Sequence, residues 1–311
     1  MVGAVRIPRA RRFATARTDG DRQVELWERH NAESLIALAC TPPAARSFAA
    51  VEVNLQLERA HLARVRGTRH VVERSAGLVE AKPTDAIAVY VTIMGEAVFE
   101  QDGQRFVLGP GQLLACDADR PFRRGFGHGL DELAMKVPRS ALTGLDTVRT
   151  PVVVDVGPGE NQHGRALARL VARAVRRDCP VPADEQAVLE LVSVLAGGGH
   201  VGLPVAHRAA ARGFIEENIT DPALSAADVA AGTGISERHL SRLFAAAGTS
   251  VPRHILSRRL DMAYSMLTTA TGPRTSDVAA RCGFTSVAYF SQTFRKRFGV
   301  TAGEVRRREI A

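Results

Sequence analysis

Apolar and polar positions follow three different rhythms along the chain. From about Ser47 to Arg139, runs such as "HVVERSAGLVE", "AIAVYVTIMG" and "EAVFEQDGQRFVLGPGQLLACDADRPF" carry strand-like patterns broken by turn residues. Asp102 and Gly103 sit between "AVFEQ" and "QRFVL", where both can take the positive φ angles of a two-residue hairpin turn. "GPG" at Gly109 to Gly111 marks another turn, and the series of short strands predicts a small barrel or sandwich. From Glu160 to Ala196 the period becomes helical, in "GRALARLVARAVRR" and "DEQAVLELVSVLA", with "CPVP" separating the two helices. Leu167, Leu170, Val171, Val188, Leu191 and Leu195 form their apolar stripe, which is expected to cover the strands or to serve a dimer contact. The glycine- and proline-rich stretch "GGGHVGLP" then predicts a linker over 197–206. A first domain over 1–196 and a second over 207–309 follow.

The second domain contains a repeat. "DVAAGTG", Asp228 to Gly234, recurs as "DVAARCG", Asp277 to Gly283, and each copy is followed by a short helix with apolar anchors. The anchors are Leu240, Leu243 and Phe244 in the first copy, and Phe290, Phe294 and Phe298 in the second. A small Ala230 or Ala279 allows close helix crossing, and the glycine supplies the turn. Two helix-turn-helix units are predicted, over about 225–247 and 275–298. Between them "VPRHILSRRLDMAYSMLTT", Val251 to Thr269, reads as one long helix begun by a proline. The fold class is therefore α+β with two domains: a β-barrel or sandwich with helices, then an all-α domain.

Charge changes the picture next. The net charge is +8, and from His207 onward fifteen Lys or Arg face nine Asp or Glu, so most of the excess lies in the helical domain. That domain is the expected polyanion binder. The four cysteines, Cys40, Cys116, Cys179 and Cys282, form no C-x-x-C pair, which argues against a zinc ribbon or a disulfide framework and suits a reducing cytoplasm. Cys282, just before a turn, is expected to be a small core residue rather than a redox switch. The longest apolar run, Ala86 to Met94, is about half of what a bilayer-spanning helix needs, so no membrane segment is expected. The arginine-rich N-terminus lacks the apolar core of a secretory signal and reads as a disordered basic arm.

On a helical wheel Arg238, Ser241 and Arg242 oppose the anchors of the first unit, and Ala288, Ser291 and Gln292 take the corresponding places in the second. A helix fits the major groove of DNA, and Arg pairs well with guanine O6 and N7. The expected DNA-contacting set is Ser236, Arg238, His239, Ser241, Arg242, Ser286, Ala288, Tyr289, Ser291, Gln292, Arg295 and Lys296. The run "RKR", Arg295 to Arg297, is read as a phosphate contact. Val287 and Ala288 cannot donate hydrogen bonds, so the second unit is expected to discriminate bases less sharply.

These residues resemble the AraC/XylS-type bacterial transcription regulators, above all in "DVAARCGFTSVAYFSQTFRKRFGVTAGEVR". The resemblance covers His207 to Glu309 and implies two helix-turn-helix units joined by a long helix, with RNA polymerase as a partner. Ala302 and Val305 depart from the family's usual proline and aromatic. "GTRHVVERSAG", the hairpin region "MGEAVFEQDGQRFVLGPGQLLACDADRPF" and "MKVPRSAL" resemble the effector-binding domain of the same regulators and imply a cupin-like barrel.

A cupin-like barrel raises the question of metal chemistry, which requires clustered His and carboxylate ligands. His61, His70 and His128 are scattered without an H-x-H pair, so no metal, cofactor or catalytic residue is expected. Trp27, Tyr90, Phe99 and Phe106 are the candidates for an effector pocket. The reading is a sequence-specific, effector-responsive transcription activator in the cytoplasm, with double-stranded DNA, a small organic effector and a second subunit as partners. The alternatives are an effector-independent repressor or architectural binder, and a DNA-linked enzyme.

Overall fold

The computed structural model describes residues 8–15, 20–43, 48–144, 151–176, 181–197, 201–268 and 273–310. The first seven residues and Cys179 lie outside this set. The N-terminal domain stacks two antiparallel sheets. The larger orders seven strands as β1 (Arg11–Ala14), β3 (Ala50–Gln56), β4 (His61–Gly67), β11 (Leu130–Pro138), β6 (Ala86–Met94), β9 (Gln112–Asp117) and β12 (Val152–Asp155). The smaller orders five as β2 (Ala39–Thr41), β5 (His70–Arg74), β10 (Phe122–Phe126), β7 (Ala97–Gln101) and β8 (Gln104–Leu108). The expected hairpin is present: Gln101 pairs with Gln104 around Asp102 at φ 52 and Gly103 at φ 77.

Strand β6 explains why its sequence is an unbroken apolar run. Ile87, Val89 and Val91 point to one side, into a core shared with helices α3 (Gln162–Ala174) and α4 (Glu185–Ala196). Ala86, Ala88 and Tyr90 point to the other, into the interior between the sheets. Leu113 and Ala115 against Leu114 and Cys116 on β9 divide in the same way. A strand covered on both faces loses the apolar–polar alternation of a half-exposed one. Helix α1 (Gly20–Ser34) contributes Trp27 to the inner core.

Two expectations change. Part of the basic N-terminal arm is ordered, since Arg11 to Ala14 pair with Val51 to Asn54 and Thr15 Oγ1 accepts from the Ala50 amide at 2.9 Å. Of the linker expected over 197–206, residues 198–200 lie outside the described set, and the described remainder is largely helix ends. Gly197 caps α4, while Leu203 and Pro204 open α5 (Leu203–Asn218). Gly197 closes α4 with its N–H donated to the Ser193 carbonyl at 2.9 Å, and proline is tolerated in the first turn of α5 because an amide there would have no intrahelical acceptor.

Helix α5 packs against α3 and α4 on one side and against α6 (Ala226–Thr233) and α7 (Glu237–Ala246) on the other. A Cβ added at Gly213 would lie 2.8 Å from Ala166 of α3, so the crossing depends on glycine there. The long helix α8 (Val251–Leu267), with α9 (Thr275–Arg281), α10 (Val287–Phe298) and α11 (Ala302–Ile310), completes the second domain. Its core joins Ala211 and Ile215 of α5 and Ile219 just after it to Leu240, Phe244, Phe290 and Phe294. Cys282 is buried in it. No helix among the described residues is long and apolar enough to cross a membrane.

Candidate nucleic-acid interface

Helices α6 and α7 form the first unit and α9 and α10 the second. Gly234 and Gly283, at φ +68 and +77, make the two turns, and Ile235 and Phe284 donate equivalent amide bonds to Ala230 and Ala279. The second turn is one residue longer, which places Thr285 between Phe284 and the cap of α10. Leu240 and Phe244, and Phe290 and Phe294, are fully buried. Phe298 is half-buried against Phe294 and Tyr264, both at 4.7 Å.

With the apolar stripes fixed inward, Arg238, Ser241, Arg242, Ala288, Tyr289, Ser291, Gln292, Arg295 and Lys296 are exposed on the opposite sides. Ser236 and Ser286 are the helix caps, each hydroxyl accepting at 3.2 Å from the amide three residues on. They set the start of each helix and leave its first amides facing outward. His239 is half-buried and engaged within the protein: its Nε2 is 3.1 Å from His207 Nδ1 of α5, and its Nδ1 is 3.1 Å from Arg242 Nη2. A guanidinium only donates, so Nδ1 of His239 accepts and its Nε2–H donates to His207. Arg297 departs from the reading of "RKR" as three phosphate contacts, because it turns inward to bind Asp261 Oδ1 at 2.7 Å.

The junction between the domains holds buried charges that sequence reasoning did not single out. Arg212 of α5 bonds Asp184, the cap of α4, at 2.8 Å, and Arg208 bonds Glu190 of α4 at 2.7 Å. Arg258 of α8 bonds Glu216 of α5 at 2.5 Å, reaches the Pro182 carbonyl, and lies 3.5 Å from Asp261. Burial would raise the Asp184 pKa, but the adjacent His254 and the Arg212 and Arg258 charges hold it well below the usual carboxylate range. His254 Nε2 lies 3.3 Å from Asp184 Oδ2 without hydrogen-bond alignment. Asp184, Glu216 and His254 have ligand atoms within 4.8 Å of one another. Guanidinium groups already neutralise both carboxylates, so the set is built as an ion-pair network rather than a cation cage. The available signal was charge interspersed with the apolar positions along these segments.

Inside the barrel, a pocket is lined by Trp27, His70, Tyr90, Arg124, Phe126 and Glu132, with Asn31, Lys136 and aliphatic groups completing it. Arg124 forms a bidentate pair with Glu132 at 2.9 and 2.6 Å and stacks 3.7 Å over the Tyr90 ring. Among the described residues its Nε has no hydrogen-bond partner. Burial opposes the charge on Arg124, but the Glu132 carboxylate outweighs it and raises the pKa. Burial pushes His70 down to about 4. Of the four candidate pocket aromatics, Trp27 and Tyr90 meet here, whereas Phe99 and Phe106 do not line it. Phe99 instead packs with Phe106 at 6.3 Å and Phe122 at 5.6 Å, filling the core beside the β7–β8 hairpin.

A two-sheet barrel joined through a shared helix to two helix-turn-helix units with exposed basic faces defines a DNA-binding transcription regulator. Residues 27–197 match the AraC-binding-like domain family and residues 229–308 a helix-turn-helix domain family. The chain belongs to the AraC family of transcription regulators. The transcriptional activator NphR of Rhodococcus sp is 26% identical over 263 residues, covering 79% of this chain and 77% of that one. The transcriptional activator RhrA of Rhizobium meliloti (strain 1021) is 35% identical over 95 residues, 30% of each chain. The solved AraC-like transcriptional activator CuxR shares the fold, with a TM-score of 0.51 at 18% identity over 82% of this chain and 95% of that one. The N-terminal domain is the AraC-binding-like one, and both named relatives are transcriptional activators.

Proposed function

We propose that the chain is an effector-responsive transcription activator whose two units occupy adjacent major grooves. The observation that carries this reading is α5, which belongs to both domains and ties barrel-side α4 to α8 through buried ion pairs. A ligand shifts DNA occupancy only through unequal affinity for two protein states, and a displacement of α3 or α4 by pocket occupancy moves α5 with it. Two-groove reading is supported by α8, whose 17 residues span about 26 Å, against roughly 34 Å between successive grooves on one DNA face. A small organic compound enters the Trp27–Tyr90 pocket, RNA polymerase is the downstream partner, and a second copy joins through the barrel or its helices. The protein acts in the cytoplasm, which suits the buried free thiols Cys40, Cys116 and Cys282.

Reciprocity supplies the test. A compound that raises the unfolding temperature of the full chain is titrated calorimetrically with and without a selected operator. Operator must change its affinity by the same factor by which it changes operator binding. Equal affinities, with transcription in a purified system indifferent to the compound, would favour an effector-independent repressor or architectural binder.

A further inference from the structure

The two exposed helix faces differ chemically. Between Val287 and Phe294, α10 carries no charged residue, and its outward positions include Val287, 48% exposed, Ala288, and Tyr289, 51% exposed. Among the described residues of the helical domain, the other large exposed apolar side chain is Leu203, far along the chain at the start of α5. The equivalent stretch of α7 carries Glu237, Arg238, His239 and Arg242. Exposed Val and Tyr at the start of a groove-facing helix leave apolar area in water that a purely phosphate-binding surface has no use for.

The apolar feature of the major groove is the thymine C5-methyl, and the side-chain amide that reads a base bidentately is Asn or Gln on adenine N6 and N7. Both chemistries converge on one base pair. Gln292 lies one turn on from Ala288 on the exposed side of α10, and Val287 stands beside Ala288 at the start of the helix. We infer that the second unit is a specificity element for A·T pairs, with Val287 and Tyr289 packing on thymine methyls and Gln292 pairing with adenine. The basic residues Arg295 and Lys296, further along α10, supply phosphate attraction without sequence preference. Arg238 and Arg242 give the first unit the opposite preference, for guanine. The operator is therefore asymmetric: a guanine-containing site for the first unit and a thymine-bearing site about one helical turn away for the second.

This inference rests on the two-groove reading, and one set of experiments separates the two. The full chain is used to select operators from random duplexes, and hydroxyl-radical footprinting maps the bound sites. Each thymine is then replaced singly by deoxyuridine, which removes the methyl and keeps every hydrogen bond. Loss of one methyl contact is expected to weaken binding about three- to fivefold at one or two positions in the second site and not at all in the first. In the Val287→Ser variant the same replacement should have no effect at the position Val287 contacts. Tyr289→Ser provides the second check. A single protected groove would overturn the two-groove reading and this inference with it. Two protected grooves with a G·C-rich second site, or with a deoxyuridine effect equal in wild type and both variants, would overturn the inference alone.

Discussion

The two helix-turn-helix copies share an interior and differ almost everywhere else. Val229, Ala230 and Phe244 in one, and Val278, Ala279 and Phe294 in the other, are buried to the same degree. At the entrance to the first unit, Ser225 and Asp228 form a reciprocal capping box, whereas Arg274 stands at the equivalent place in the second with no side-chain cap. The first unit leans on α5 directly. The second reaches the domain junction through Arg297, Asp261 and Arg258. Packing constrains what faces inward in both copies, so divergence collects at caps, turns and outward faces, where it changes what each copy contacts rather than whether it folds.

The largest expected effect strikes the contact that the two copies share. Arg258→Met strands Glu216 in a buried site, while Asp261 keeps its Arg297 partner, and should cost about 3–5 kcal/mol in denaturant unfolding. Replacing Glu216 by Gln as well should recover much of this. Failure of the double variant to recover would mean that Arg258 acts through its contact with Pro182 rather than as an ion-pair partner.

Acid should separate the barrel from both copies. Burial holds the His61 and His70 imidazoles down to about 4. The unfolded chain binds these protons near pH 6.5 and the folded barrel does not, so the stability they contribute is full above about pH 6.5 and falls as pH drops toward 4. For His70 the loss is on the order of 3 kcal/mol. Hydrogen exchange at pH 5 should show barrel amides loosening before those of α7 and α10. His70→Gln should flatten the trend, and equal loosening everywhere would contradict it.

Binding distinguishes the copies next. Arg242→Ala should cost about 1–3 kcal/mol and relax preference at one base pair, while Lys296→Ala should weaken all sequences alike and flatten the salt dependence. Uniform weakening by Arg242→Ala would reassign that side chain to the backbone. The smallest effect tests the caps. Ser225→Ala should lower stability by about 1 kcal/mol, and Arg274→Ser should raise it by a similar or smaller amount. If Arg274→Ser gains nothing in thermal unfolding, the second unit is limited by something other than its entrance.

The duplicated reader was legible because its signal is local: a recurring Asp-Val-Ala-Ala, a glycine at each turn, and anchors at helical spacing. The β7–β8 hairpin was legible for the same reason at Asp102 and Gly103. What escaped notice was set by distant pairing. Arg124 and Glu132 fall between the runs quoted as strands, and the buried carboxylates that pair with Arg212 and Arg258 come from helices that sequence spacing does not connect. Strand β1 escaped because basic residues on an edge look like solvated chain. Phe99 and Phe106 resembled pocket aromatics, yet which inward position fills the core and which borders the pocket depends on how the two sheets stack.

Helix α5 has a consequence for how such proteins can be recombined. A cut at the glycines before it would hand the whole helix to the reader. The reader would then carry a surface shaped for another domain, with Gly213 fitted to Ala166 and Arg208 and Arg212 fitted to Glu190 and Asp184. A productive hybrid must therefore transplant α3, α4 and the outer side of α5 together, so the natural seam for exchange runs lengthwise through a helix rather than across a loop.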